Sequence, residues 1–118
     1  MKNISQEPLS NISVHDIRNW LSNNNSIQNI VDAYVVVHGK YICVEDDVYD
    51  YEIGTVEYNS ARLKSDEWFS FMEELQKQIL DEMRSEGYTI PEKGYYYAMI
   101  PFMKRFGYRD GNGWWIKE

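Results

Sequence analysis

The sequence predicts an α+β fold: a single domain over residues 1–118, with an antiparallel sheet of about four to five strands packed against one long helix, plus a short N-terminal helix. Three observations carry that expectation. The run NIVDAYVVVHGKYICVE (29–45) is dense in β-branched and aromatic residues and is broken only at His38-Gly39. The next segment, DVYDYEI (47–53), alternates strictly, with Val48, Asp50 and Glu52 on one face and Tyr49, Tyr51 and Ile53 on the other. Further on, Trp68, Met72, Leu75, Ile79 and Met83 recur at spacings of four, three, four and four, which lays a single apolar stripe along a helix.

From the N-terminus, NISVHDIRNWLSNNN (11–25) reads as a short helix with Ser13 at the N-cap and Asp16 at N3, a capping box that Ile12 and Ile17 would staple. Ile17, Trp20 and Leu21 form its apolar face, and the asparagine run ends it. The 29–45 run is expected to be a β-hairpin turning at His38-Gly39, where a two-residue loop needs positive φ. Tyr34 would then face Cys43, and both faces of the pair would be apolar. The alternating segment is expected as a third strand with one wet face, interrupted at Gly54. The long helix should run from about Asp66 to Glu86 behind Ser65 as N-cap, with Gly87 as its left-handed stop. After Pro91 and Gly94, YYYAMI (95–100) suits a strand, PFMKRFG (101–107) a helical turn opened by Pro101, and YRDGNGWWIKE (108–118) a final hairpin.

Size and composition narrow the functional classes. A chain of 118 residues that is 43% hydrophobic can bury a core without disulfides, and its one cysteine, Cys43, cannot form an internal bridge. The start of the chain lacks the apolar run of a signal peptide, and no stretch is apolar enough to cross a bilayer, so a cytoplasmic location away from membranes is expected. The net charge of −7 is unevenly spread. Residues 41–61 hold six carboxylates and no Lys or Arg, whereas the C-terminal part, with Lys104, Arg105, Arg109 and Lys117, is mildly basic. Affinity for a phosphate backbone comes from releasing counterions with Lys and Arg, so direct nucleic-acid binding is not expected. A basic protein partner is.

Each candidate chemistry meets a simpler alternative. DGNGWW (110–115) shares the central residues of a calcium-binding EF-hand loop, but the chain ends before the twelfth-position glutamate, and a Gly/Asn turn accounts for it. A cysteine nucleophile needs a histidine within hydrogen-bond reach, and in the expected hairpin His38 and Cys43 lie about 10 Å apart. No nucleophile elbow, phosphate-binding glycine loop or zinc-spaced Cys/His set is present, so no catalytic residue, metal or cofactor is assigned. Phe102, Phe106, Tyr108, Trp114 and Trp115 among basic residues suit core packing better than a base-stacking platform.

The acidic stretch remains. Glu45, Asp46, Asp47, Tyr49, Asp50, Glu52, Glu57 and Tyr58 combine a concentration of negative charge with tyrosines, the stiff amphipathic side chains that anchor interfaces. They are the expected partner-binding residues of a small acidic interaction module. The expected role is that of an inhibitor, immunity or anti-defence protein blocking a basic nucleic-acid-processing enzyme, possible partners including a nuclease. The alternative is a small enzyme or ligand-binding domain with a pocket between sheet and long helix, lined by Cys43, His38 or the tyrosines.

Overall fold

The computed structural model describes residues 13–118, and over them the expected sheet-on-helix architecture is overturned. Four helices, α1 (Val14–Ser22), α2 (Ile27–Val48), α3 (Val56–Ser85) and α4 (Tyr95–Arg105), carry the fold. The only sheet among the described residues is a two-stranded antiparallel hairpin, β1 (Tyr108–Asp110) and β2 (Trp115–Lys117), with Asp110 opposite Trp115.

The largest correction is α2. Residues 29–45 form no hairpin, because their buried side chains follow a helical period: Val31, Tyr34, Val37, Val44 and Val48 are buried at spacings of three or four or their sums. Ser26 starts the helix by accepting a hydrogen bond from the Asn29 amide at 3.2 Å. No proline interrupts the next 22 residues. Each β-branched residue costs a helix only tenths of a kilocalorie, roughly 0.5 kcal/mol, and Gly39 about 1 kcal/mol. Burying one valine or leucine side chain returns about 1.5–3 kcal/mol, so packing outweighs local preference here.

The alternating segment 47–53 is not a strand either. Its first residues finish α2, and 49–55 form the turn into α3, held by backbone bonds from Tyr49, Asp50 and Tyr51 to the carbonyls of residues 46–48. The long helix begins ten residues earlier than expected. Thr55 caps it, its hydroxyl accepting from the Tyr58 amide at 3.1 Å, while Ser65 lies inside the helix. Its far end agrees with the sequence: Gly87 takes φ of 93° just after the C-cap Glu86. The stripe Trp68, Met72, Leu75, Ile79 and Met83 is buried along it.

α1 also forms as expected. Ser13 and Asp16 exchange reciprocal 3.1 Å hydrogen bonds in a capping box, and Ile17 is fully buried. The staple residue Ile12 lies outside the described residues. YYYAMI is helix rather than strand: Met99, Phe102 and Met103 point inward at spacings of three and four, a pattern that survives Pro101 at the loss of one intrahelical bond. The closing hairpin does form, turned through Asn112 (φ 71°) and Gly113 (φ 114°). Gly111 leaves room there: a Cβ would fall 2.3 Å from Ile116 Cδ1 and 2.8 Å from Trp114 Nε1, so those side chains would have to shift.

α2 and α3 form the main contact of the molecule, an antiparallel helical hairpin. α1, α4 and the β-hairpin gather around one end of it, where Ile17, Tyr34, Leu75, Met83, Phe102, Tyr108 and Trp115 share one core. The expected inward packing of Phe102, Tyr108 and Trp115 holds, while Trp114 is half exposed.

Candidate functional site

The acidic residues collect at the other end of this hairpin, around the 49–55 turn. Glu45, Asp46 and Asp47 occupy the last turns of α2, Tyr49 is its C-cap, Asp50 and Glu52 lie in the turn, and Glu57 and Tyr58 open α3. All eight expected binding residues are thus brought to one place, although by helices rather than by a strand.

Their environments differ. Glu45 is tied inward: it accepts a 2.5 Å hydrogen bond from the buried Ser65 hydroxyl and lies 3.9 Å from Arg62. Tyr49 reaches the same carboxylate at 3.5 Å. Tyr58 is half-buried. By contrast, among the described residues no ion pair holds Asp46, Asp47, Asp50, Glu52 or Glu57. Glu57 sits favourably in the first turn of α3, beside the positive end of that helix. Asp46 and Asp47 do not, because they lie in the last turn of α2 with no basic residue there, at the end that already carries about half a negative charge.

The apolar residues of this end also depart from expectation. Strand alternation would have turned Tyr49, Tyr51 and Ile53 inward, but in the turn they are 77%, 45% and 81% exposed, and Val56 is 77% exposed beside them. Between α2 and the start of α3 lies an open groove of 360 Å³, whose lining includes Val44, Val56 and Ala61 together with Asp47, Tyr51, Glu57 and Lys64. Scattered apolar residues are ordinary on a surface, but here four large ones fall within eight residues, set among carboxylates that make no ion pair among the described residues. No set of three or more His, Cys, Asp or Glu side chains among the described residues is arranged to hold a metal.

A second polar centre lies within the core, and sequence reasoning missed it. The Tyr34 hydroxyl, His38 Nδ1 and Trp115 Nε1 are buried without a hydrogen-bond partner among the described residues. Their rings form a chain with Tyr96, centroids 5.8 Å from Tyr34 to His38, 5.9 Å from His38 to Tyr96 and 4.4 Å from Tyr96 to Trp115. Burial pushes the Tyr34 phenol up and the His38 imidazole down; Trp115 and Gln76 face the Tyr34 oxygen and pull it partly back without reaching hydrogen-bond geometry. Tyr96 is anchored differently, donating to Asp110 at 2.6 Å, and its pKa is raised chiefly by burial and then by that carboxylate. Tyr34 and His38 stand four apart, a helical pairing hidden as long as the segment reads as a strand.

Cys43 takes no part in this centre. Five residues beyond His38 on α2, it points about 140° away around the helix axis, and it is exposed rather than buried as the expected strand pairing required. The structure therefore does not bring His38 and Cys43 together as walls of one pocket. Among the described residues, no helix is long and apolar enough to cross a membrane. The chain matches no protein-family model, no curated protein and no solved structure, so its own residues are the source of any functional reading.

Proposed function

We propose that this chain is an acidic protein–protein interaction module that docks the turn between α2 and α3 onto a basic partner protein. One observation carries the reading: five carboxylates that meet no cationic partner among the described residues lie with the exposed Tyr49, Tyr51, Ile53 and Val56 in and beside one turn, in a stretch without any Lys or Arg from 41 to 61. The carboxylates supply long-range attraction and fast encounter, and the tyrosines supply contact area once the surfaces meet. Among basic proteins, nucleic-acid-processing enzymes present Lys and Arg clusters that otherwise hold phosphates, so blocking such an enzyme, as an inhibitor or immunity protein does, is the role this surface suits best.

The test pairs the parent with a variant carrying Asp47→Asn, Asp50→Asn, Glu52→Gln and Glu57→Gln. Glu45 is left in place because Ser65 holds it. Both proteins are immobilised and exposed to native cell extract at low and high salt, and any captured nuclease is assayed with and without added protein. The expected result is a basic partner retained by the parent at low salt, released at high salt and lost by the variant, with its activity blocked by the parent alone. Equal retention by parent and variant would show that the acidic end is only a solvated surface.

A further inference from the structure

We infer that the groove between α2 and α3 is a receptor for a single arginine side chain projecting from the partner, an inference that rests on the docking reading above. The groove offers what that side chain needs along its length. Val44, Val56 and Ala61 give its lining apolar surface for the three methylenes, and Asp47 on α2 and Glu57 on α3 add carboxylates from two helices. Tyr51 adds an aromatic wall on which a planar guanidinium can stack.

Size points the same way, and the two helix ends oppose each other: α2 turns its negative end toward Asp47, whereas Glu57 sits at the positive end of α3. A volume of 360 Å³ corresponds to about a dozen waters of liquid, room for one long side chain with part of its hydration and too little for a folded segment. Asp47 stands at the negative end of α2, where no basic residue of the last turn offsets it. Neither Asp47 nor Glu57 has an ion-pair partner among the described residues. Lys64, one of the groove's own lining residues, makes no ion pair with them either, so it stands as a competing cation rather than as a permanent occupant.

Arginine is preferred over lysine on the chemistry of the two side chains. A guanidinium offers five donors to the two carboxylates of the lining and stacks on an aromatic ring, whereas an ammonium is a point charge that keeps its water and gains less from the tyrosine face. This subsite gives the surface a register: one partner arginine fixes where the remaining carboxylates fall.

The experiment titrates the full ¹⁵N-labelled chain with acetyl-Gly-Arg-Gly-amide, and in parallel with the same peptide carrying citrulline, which is nearly isosteric and neutral. The arginine peptide should shift amides of residues 44–64 with millimolar saturation, and the citrulline peptide should bind about tenfold more weakly, as loss of charge-assisted hydrogen bonds implies. The variant Asp47→Asn/Glu57→Gln should lose a similar factor while keeping its fold, and Lys64→Gln should bind the arginine peptide more tightly than the parent. Equal shifts with citrulline, or arginine binding undiminished in Asp47→Asn/Glu57→Gln, would overturn the subsite. The two readings fail separately. Should the extract partner be lost by the four-site variant while arginine ignores the groove, docking stands and the subsite falls. Should arginine saturate the groove while that variant still captures the partner, the subsite stands and the docking reading falls.

Discussion

At one end of the α2–α3 hairpin, the buried Asp32 accepts hydrogen bonds from Tyr108 at 2.6 Å and Gln28 at 3.0 Å, and Gln28 also reaches the Phe106 carbonyl. At the other end, Asp46, Asp47, Asp50 and Glu52 meet no cation among the described residues, and the tyrosines beside them face outward. The same residue types thus serve opposite ends. The buried Asp32 is paired with Tyr108 and Gln28, because an unpaired buried charge would cost several kcal/mol. At the exposed end the carboxylates repel one another, and among the described residues no cation offsets Asp46, Asp47, Asp50 or Glu52. Departures from local preference that lack internal compensation are where function is expected.

The first way to break this comparison is to remove the anchor of the paired end. Trp115 closes the aromatic chain over Tyr96 and is 6% exposed, so Trp115→Ala should destabilise by about 3–5 kcal/mol through lost burial and an unfilled cavity. Denaturant unfolding would measure it; a loss below 1 kcal/mol would mean that the β-hairpin is not part of the cooperative core. Tyr108→Phe is milder. It keeps the ring and deletes the hydroxyl that Asp32 accepts from, so a cost of about 1.5–3 kcal/mol is expected for a buried bond to a charged group. The corresponding change at the acidic end, Tyr49→Phe, should stay within about 0.5 kcal/mol of the parent.

How far the sequence revealed this contrast depends on where the deciding force acts. Features set by a few adjacent residues were legible: the Ser13–Asp16 capping box, the Gly87 stop, the Asn112–Gly113 turn and the stripe of α3. α2 was not, because Val35, Val36, Val37 and Ile42 favour strand locally and are overruled by a packing surface that only the assembled fold supplies. The 47–53 alternation had a similar fault, since a helix end running into a turn can mimic period two over seven residues. Tyr95, Tyr96 and Tyr97 repeated the error for α4. The concentration of acidic residues was legible because charge density is a property of composition, whereas the exposure of Tyr49 and Tyr51 depended on the missed helix. The Tyr34–His38–Trp115 centre joins residues about eighty positions apart and left no local trace.

Acid sharpens the comparison from the buried side. Burial holds the His38 pKa below its ordinary 6.5, so below that pH the unfolded chain takes up a proton that the native centre resists. Stability is fully present above about pH 6.5 and is lost as pH falls from there toward the depressed native value. Thermal unfolding followed across this range should show the decline in the parent and a flatter profile in His38→Gln. An unchanged slope in that variant would place the acid sensitivity elsewhere. The opposite limb belongs to Tyr34, Tyr96 and Tyr108, whose raised native pKa values make stability fall as pH climbs above the phenol's ordinary 10.

The smallest effect is the most direct test of whether the acidic end serves something outside the chain. Asp46 and Asp47 sit where a helix favours cations, within the last turn of α2, and like charges at Asp50 and Glu52 follow in the turn. Neutralising them as Asp46→Asn and Asp47→Asn keeps shape and hydrogen-bonding capacity while removing two unfavourable interactions with the helix end. Each change should therefore raise stability by about 0.3–1 kcal/mol at low ionic strength. The gain should shrink as salt screens the exposed charges over a Debye length of about 10 Å at 0.1 M. Stability that rises while capture of the proposed basic partner weakens would mean that the folded chain bears an electrostatic cost for the sake of an interface. Stability that falls instead would mean that these carboxylates are held within the fold, as Glu45 is by Ser65 and Arg62, and the two ends of the hairpin would then follow one rule.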